Sequence, residues 1–271
     1  MKQKSIITVL AITTALGLLG TFNNKKRADE LQGNILNQQA VLATLWQQDS
    51  AEVKALRLQA YQQAEENIDQ LIASGDMPSN PAVILDIDET ILDNIPAGAY
   101  QITSNHGYNH EEFVEWTTKA ECEDIEGSVD FINYAQSKGV EVFLISNRSP
   151  EEMEATIANL QAVGVNVPQD HIMLKEDSSN KQKRMDAVEN DYNVIMYIGD
   201  NAGDFGGEYY KKSNEERSQI VMDNKDSIGV KYIALPNPTY GDFDGAIYGY
   251  DFSMSNDAKI QTRNDALKPF K

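Results

Sequence analysis

The sequence predicts an α/β protein, a Rossmann-like parallel sheet with helices on both faces and a helical cap inserted over one end. Three observations predict it. Apolar runs recur at Ala82–Leu85, Val140–Ile145, Asn193–Gly199 and Val230–Leu235. A run such as Ala82–Leu85 has no polar face to show to water, so it belongs in the middle of a sheet covered on both sides. Each of the first three runs also ends abruptly in polar or acidic residues: Asp86 and Asp88, then Ser146-Asn147-Arg148, then Asp200 to Asp204. Open α/β sheets place their ligands at such carboxyl ends of strands.

The chain has 271 residues, 41% of them hydrophobic and 24% charged, enough for one α/β domain with a sizeable insertion. Its formal net charge of -19 argues against nucleic-acid polymers and anionic membrane surfaces as partners, since both need basic patches. A phosphate site in such a chain must be made locally cationic. The single cysteine, Cys122, excludes an intramolecular disulfide and a cysteine-built zinc site, and reads as a small buried hydrophobe. Oligomeric state is not legible, and a homodimer stays open.

Residues 1–22 have the form of a signal peptide or N-terminal anchor: Lys2 and Lys4 precede an apolar run from Ile6 to Phe22. No clean cleavage site follows, and Lys25-Lys26-Arg27 comes directly after, which leaves a membrane tether open beside release. Either way the expected location is outside the cytoplasm. The remainder, 23–271, reads as one domain. Over 30–75, Val53, Leu56, Ala60, Ala64, Ile68 and Leu71 recur at helical spacing, and Gly75 and Pro78 stop the pattern. Residues 95–138 are too many for a simple crossover and are expected to form the cap, with a helix over Glu111–Lys119 that carries Phe113 and Trp116. His106 and His110, near its start, read as surface or packing residues.

The chemistry concentrates in Asp86-Ile87-Asp88-Glu89-Thr90. Two acids separated by one residue at a strand end can divide phosphoryl transfer between them. Asp86 would attack phosphorus, splitting one difficult hydrolysis into two displacements. Asp88 would protonate the departing alkoxide and then deprotonate the attacking water.

This stretch, with Leu92-Asp93-Asn94 after it, resembles the first motif of the haloacid dehalogenase superfamily of phosphatases, and more narrowly the class C acid phosphatases, bacterial lipoprotein-type 5'-nucleotidases. The resemblance spans about residues 40–245. It implies that Ser146 and Asn147, after the second strand, hold phosphate oxygens, and that Lys181 neutralises nucleophile and phosphate, with Lys175 as its rival. It also implies that Trp116 and Tyr240 stack on a substrate base. Leu18-Leu19-Gly20-Thr21 has the outline of a lipobox with threonine where the lipidated cysteine would stand, so lipidation there is excluded.

Hard oxygen donors suit Mg²⁺, which takes one or two carboxylates directly and keeps several waters. Asp86, the Asp88 backbone carbonyl and Asp200 would bind it, with Asp204 behind. Gly203 stands where the resembled proteins often carry a further acid. The expected function is a secreted or surface Mg²⁺-dependent acid phosphatase acting on small phosphomonoesters, nucleoside 5'-monophosphates first. A sugar phosphatase with the same core is the alternative, and a surface binding protein without turnover is a rival from another class.

Overall fold

The computed structural model describes residues 35–271 together with Arg27, so the expected signal or anchor at 1–22 lies outside the described residues. Five strands, β1 (Pro81–Leu85), β2 (Glu141–Ile145), β3 (Ile172–Met173), β4 (Asn193–Gly199) and β5 (Tyr232–Ala234), form one sheet in the order β3-β2-β1-β4-β5. Every pairing is parallel, with Leu85 beside Leu144 of β2 and beside Ile198 of β4. The chain therefore builds outward from β1 in both directions, and the crevice at a topological switch point opens at the carboxyl end of that central strand.

Alternation along β1 feeds two cores. Val83 and Leu85 pack with Tyr61, Ala64 and Ile68 of α2 (Ala51–Ser74), with Phe131, Ile132 and Ala135 of α5 (Ser128–Ser137), and with Leu160 of α6 (Met153–Ala162). Ala82 and Ile84 face the opposite way, onto Met185 and Val188 of α7 (Gln182–Glu189), Tyr209, and Ile220 of α8 (Asn214–Asp223). Full burial of one such aliphatic side chain stabilises by roughly 1.5–3 kcal/mol. The remaining helices are α1 over 35–49, α3 (Ile95–Thr103), α4 (His110–Thr118), α9 (Asp242–Ile247) and α10 (Asn256–Ala266). No described helix is long and apolar enough to cross a membrane.

Three elements depart from the sequence pattern. The buried face of α2 is turned from the one the aliphatic spacing suggests: Leu56 is 43% exposed, while Arg57 and Tyr61 are buried. Arg57 reaches Glu126 at 2.8 Å, and the Tyr61 hydroxyl donates to the Thr90 carbonyl at 2.5 Å, so tertiary partners outweigh apolarity. The segment 95–138 divides, because α5 lies in the core against α2 and β2 and only α3 and α4 stand outside the sheet layers. The last strand is short: Val230 is exposed in a turn, and only Tyr232–Ala234 pair, as expected of an edge.

α4 is fixed to the body through the turn after β2. Ser149 and Glu152 form a capping box there, and buried Glu152 also accepts the Thr117 hydroxyl of α4 at 2.7 Å. The positive end of the helix that follows is thus occupied by a carboxylate of the chain itself.

Candidate active site

Backbone geometry places the two aspartates. The Asp86 N–H donates to the Ile198 carbonyl, extending the sheet by one residue. The chain then coils, with the Ile87 carbonyl accepting the N–H groups of Ile91 and Leu92. Glu89 turns the corner at φ 55, the left-handed region that L side chains rarely enter, and its Oε1 accepts the Asn94 N–H at 2.7 Å. Burial raises the Glu89 carboxyl well above the usual carboxylate range. A buried side chain thereby closes the loop that presents Asp86 and Asp88.

Around Asp86 the residues form an acidic cluster with one cation. Lys181, at the N-terminus of α7, is 5% exposed and lies 2.7 Å from both Asp86 Oδ1 and Asp204 Oδ1. Burial disfavours its charge, but Asp204 and Asp86 outweigh that and hold its pKa above the ordinary lysine value. One carboxylate oxygen from each of Asp86, Asp200 and Asp204 lies within 4.8 Å of the others. Burial pushes Asp86 up to about 7 against the pull of Lys181, with Asp204 and Asp88 adding to the rise. Asp200 is raised well above the usual range, first by burial and then by Asp204 and Asp86. Asp204 closes a short turn by accepting the Asn201 N–H at 2.9 Å. Gly199 makes room for it, because a Cβ there would sit 2.3 Å from Asp204 Oδ2.

Asp88 points into different company. Its Oδ1 accepts Arg148 Nε at 2.9 Å, Arg148 Nη2 at 2.8 Å and Asn94 Nδ2 at 2.7 Å, and its Oδ2 accepts the Ser146 hydroxyl at 3.2 Å. Arg148 is 2% exposed, and the neighbouring Asp88 raises its pKa despite burial. Two carboxylates two residues apart therefore face a lysine with two further acids on one side and a guanidinium with neutral hydrogen-bond donors on the other.

The family model for the HAD superfamily, subfamily IIIB (acid phosphatase), matches residues 21–243. The chain belongs to this family. Among solved structures it is similar to the class C acid phosphatase from Bacillus anthracis, at 40% identity and a TM-score of 0.83, over 87% of this chain and 99% of that one. The same Bacillus protein with tungstate bound matches at the same identity and TM-score. Curated relatives are more distant: the stem 31 kDa glycoprotein of Glycine max is 26% identical over 174 residues, and acid phosphatase 1 of Solanum lycopersicum 25% over 169. These alignments cover 59% and 58% of this chain, and they span 59% and 57% of the two relatives' own lengths.

For this HAD-type acid phosphatase chain, the donor set fits a divalent cation. Among the described residues three carboxylates meet a single ammonium, and burial first, then the neighbouring acids, raise Asp86 and Asp200, so a bound cation would offset charge that is poorly solvated there. Both Asp204 oxygens are taken, by Asn201 N–H and Lys181, and Asp200 Oδ2 accepts Asn237 Nδ2 at 2.7 Å. Asp200 keeps an oxygen free of these contacts and would bind the ion together with the Asp86 carboxylate, with Asp204 holding the lysine beside it.

The structure draws together Asp86, Lys181, Asp200 and Asp204 in one group, and Asp88 with Ser146 in the next. Other expected residues stand elsewhere. The side chain of Asn147 is turned outward, donating to the Ser179 carbonyl and accepting from Arg184, because that arginine ties the turn to α7. What Asn147 has left for phosphate is its backbone N–H. Lys175 is joined to Arg148 through its backbone and touches none of the cluster acids. Tyr240 is 47% exposed on the loop after β5, whereas Trp116 is half-buried, with its indole N–H on Asn94 Oδ1 at 3.0 Å. His106 and His110 contact Glu112 and Ser149 on the surface, away from the acids. Sequence reasoning assigned no role to Arg148, Asn94 or Asn237. The signal for Arg148 was its place two residues beyond a strand end, next to Ser146. Asn94 and Asn237 carried none.

Proposed function

We propose that this chain is a Mg²⁺-dependent phosphomonoesterase working through an aspartyl-phosphate on Asp86. The carrying observation is the 2.7 Å contact between Asp86 Oδ1 and the buried Lys181 ammonium at the end of the central strand. Oδ1 also accepts the Ile87 N–H at 2.7 Å, which leaves Oδ2 to attack phosphorus. As the new P–O bond forms, the ester P–O bond breaks and the alkoxide takes a proton from Asp88. In the second displacement Asp88 recovers a proton from water, whose oxygen attacks phosphorus and returns the Asp86 carboxylate. Lys181 holds Asp86 and the approaching phosphate oxygens against the surrounding acids. A bound Mg²⁺ would supply further neutralisation of phosphate charge at Asp86 and Asp200. Tungstate, a tetrahedral oxyanion like phosphate, is bound by the similar Bacillus protein, which supports phosphate-ester chemistry for this chain.

The substrate class we infer is the nucleoside 5'-monophosphates, with the exposed Tyr240 ring and the Trp116 ring as stacking surfaces. Stacking is worth about 1–3 kcal/mol per base and tolerates different bases. The location we infer is extracytoplasmic, from the apolar run at Ile6–Phe22. Release of phosphate by the purified protein, with and without EDTA, tests the core of the reading on p-nitrophenyl phosphate and on nucleoside 5'-monophosphates. We expect turnover that chelation removes and Mg²⁺ restores. Activity untouched by exhaustive chelation, or no activity on either ester, would overturn it. Tyr240→Ala should lower kcat/KM on nucleotides about 5- to 100-fold and far less on a small ester without a base. Equal losses would remove the stacking role.

A further inference from the structure

We propose that Trp116 is a positioning residue for Asp88, acting through the side-chain amide of Asn94. The inference rests on the reading of Asp88 as acid and base, and it adds a residue on α4 to that machinery. Asn94 is 4% exposed and sits between the cap and the reacting end of β1. Its Oδ1 accepts the Trp116 indole N–H at 3.0 Å, the Cys122 thiol at 3.3 Å and Arg148 Nη2 at 3.5 Å. Its Nδ2 donates to Asp88 Oδ1 at 2.7 Å and to the Leu92 carbonyl at 3.3 Å.

The orientation of this amide is set by the chemistry of its partners. An indole N–H and a guanidinium can only donate, so they must meet the oxygen. Asp88 Oδ1, which already accepts from the Arg148 guanidinium, and a carbonyl oxygen can only accept, so they must meet the NH₂. Of the three groups on the oxygen, Trp116 makes the shortest contact. Turning the amide over would set its oxygen against the Asp88 carboxylate and its NH₂ against the indole N–H. Trp116 thus holds Asn94 in the one orientation that donates to Asp88. The next residue, Thr117, is bonded to Glu152, which keeps α4 at the height where this contact forms. The position of the cap helix is thereby transmitted to a carboxylate that never touches it.

Trp116→Phe keeps a ring for stacking and removes the N–H, so it separates the two roles. We expect kcat on an alkyl ester such as a nucleoside 5'-monophosphate to fall about 5- to 20-fold, with KM within about twofold. The loss on p-nitrophenyl phosphate, whose leaving group hardly needs a proton, should stay under about threefold. A raised KM with unchanged kcat, or equal losses on both esters, would overturn the proposal. Asn94→Ala should show the same selectivity for alkyl esters, and adding Trp116→Phe to it should cost nothing more; additive losses would break the chain of contacts. Should Trp116→Phe fail to fold, Asn94→Asp takes its place, because it keeps an acceptor for Trp116 and deletes the donor to Asp88. A wild-type ratio of alkyl to aryl rates in that variant would overturn the proposal as well. Asp88→Asn is the control on the underlying reading: if its loss is selective and that of Trp116→Phe is not, only the positioning role falls. If Asp88→Asn is unselective, the acid/base role falls and the positioning role with it.

Discussion

Asp86 and Asp88 leave the same strand two residues apart, yet one enters a group with surplus negative charge and the other a group whose charges are matched. Asp86 shares a single lysine with Asp204 and faces Asp200 across less than 5 Å. Asp88 has a guanidinium of its own, plus an amide and a hydroxyl. The first arrangement carries unneutralised negative charge until a cation arrives, and the second is complete as it stands. The lesson is that roles within one short motif are assigned by what the neighbouring strands deliver, β4 and α7 to Asp86 and β2 to Asp88.

The contrast is broken most severely at Asp86. Asp86→Asn should cost about 10⁴-fold or more in kcat on any phosphomonoester, with the fold intact by circular dichroism, because an amide does not attack phosphorus. Activity near the wild-type level would reassign the nucleophile. Asp88→Asn should cost about 10²- to 10⁴-fold on alkyl esters and clearly less on p-nitrophenyl phosphate. Equal losses there would make Asp88 a structural partner of Arg148.

Smaller effects sharpen the comparison. Lys181→Ala should lower kcat/KM by about 10²- to 10³-fold, since it strips from the acidic group the ammonium that contacts Asp86 and Asp204, while Lys175→Ala should stay within about twofold. The reverse order, measured side by side, would move the phosphate-neutralising role to Lys175.

The last test is thermal. In EDTA, folded Asp86 keeps its proton up to about pH 7, whereas in the unfolded chain it is lost near the ordinary value of 3.8. Between those values the folded state binds more protons, so stability falls as pH rises. Melting temperature in EDTA should therefore drop from about pH 5 to about pH 8, Mg²⁺ should lift it more at the higher pH, and Asp86→Asn should flatten the slope. An equal slope in wild type and variant would place the surplus charge elsewhere.

Much of this was legible because it is local. An apolar run ending in acids is a property of consecutive residues, and β1, β2 and β4 with their polar ends fall where the sequence places them. Gly75 at φ 79 and the Ser149/Glu152 box likewise end and begin helices as short-range rules require. What escaped is defined by partners far along the chain. Arg57 and Tyr61 displaced Leu56 from the buried face of α2 because Glu126 and the Thr90 carbonyl were waiting for them. α5 joined the core because α2 and β2 cover it. Asn94 is one amide among many in the sequence and becomes a junction only when Trp116, Arg148 and Asp88 converge on it.

The strand order carries a consequence for how the protein comes into being on the ribosome. β1 emerges early and must wait, its edges unpaired, while β2 and then β4 are synthesised. Asp88 meets Arg148 as soon as β2 docks. Asp86 meets no lysine until α7 follows, and no third acid until β4 and the turn at Asp204 have closed. In chain order the half of the site whose charges balance is complete first, and the half around Asp86, to which we assign the attack, is complete last. A nascent chain that ended between β3 and β4 would contain Asp88 and Arg148 but neither Asp200 nor Asp204, so the acidic group around Asp86 can be complete only once β4 and its turn have been made.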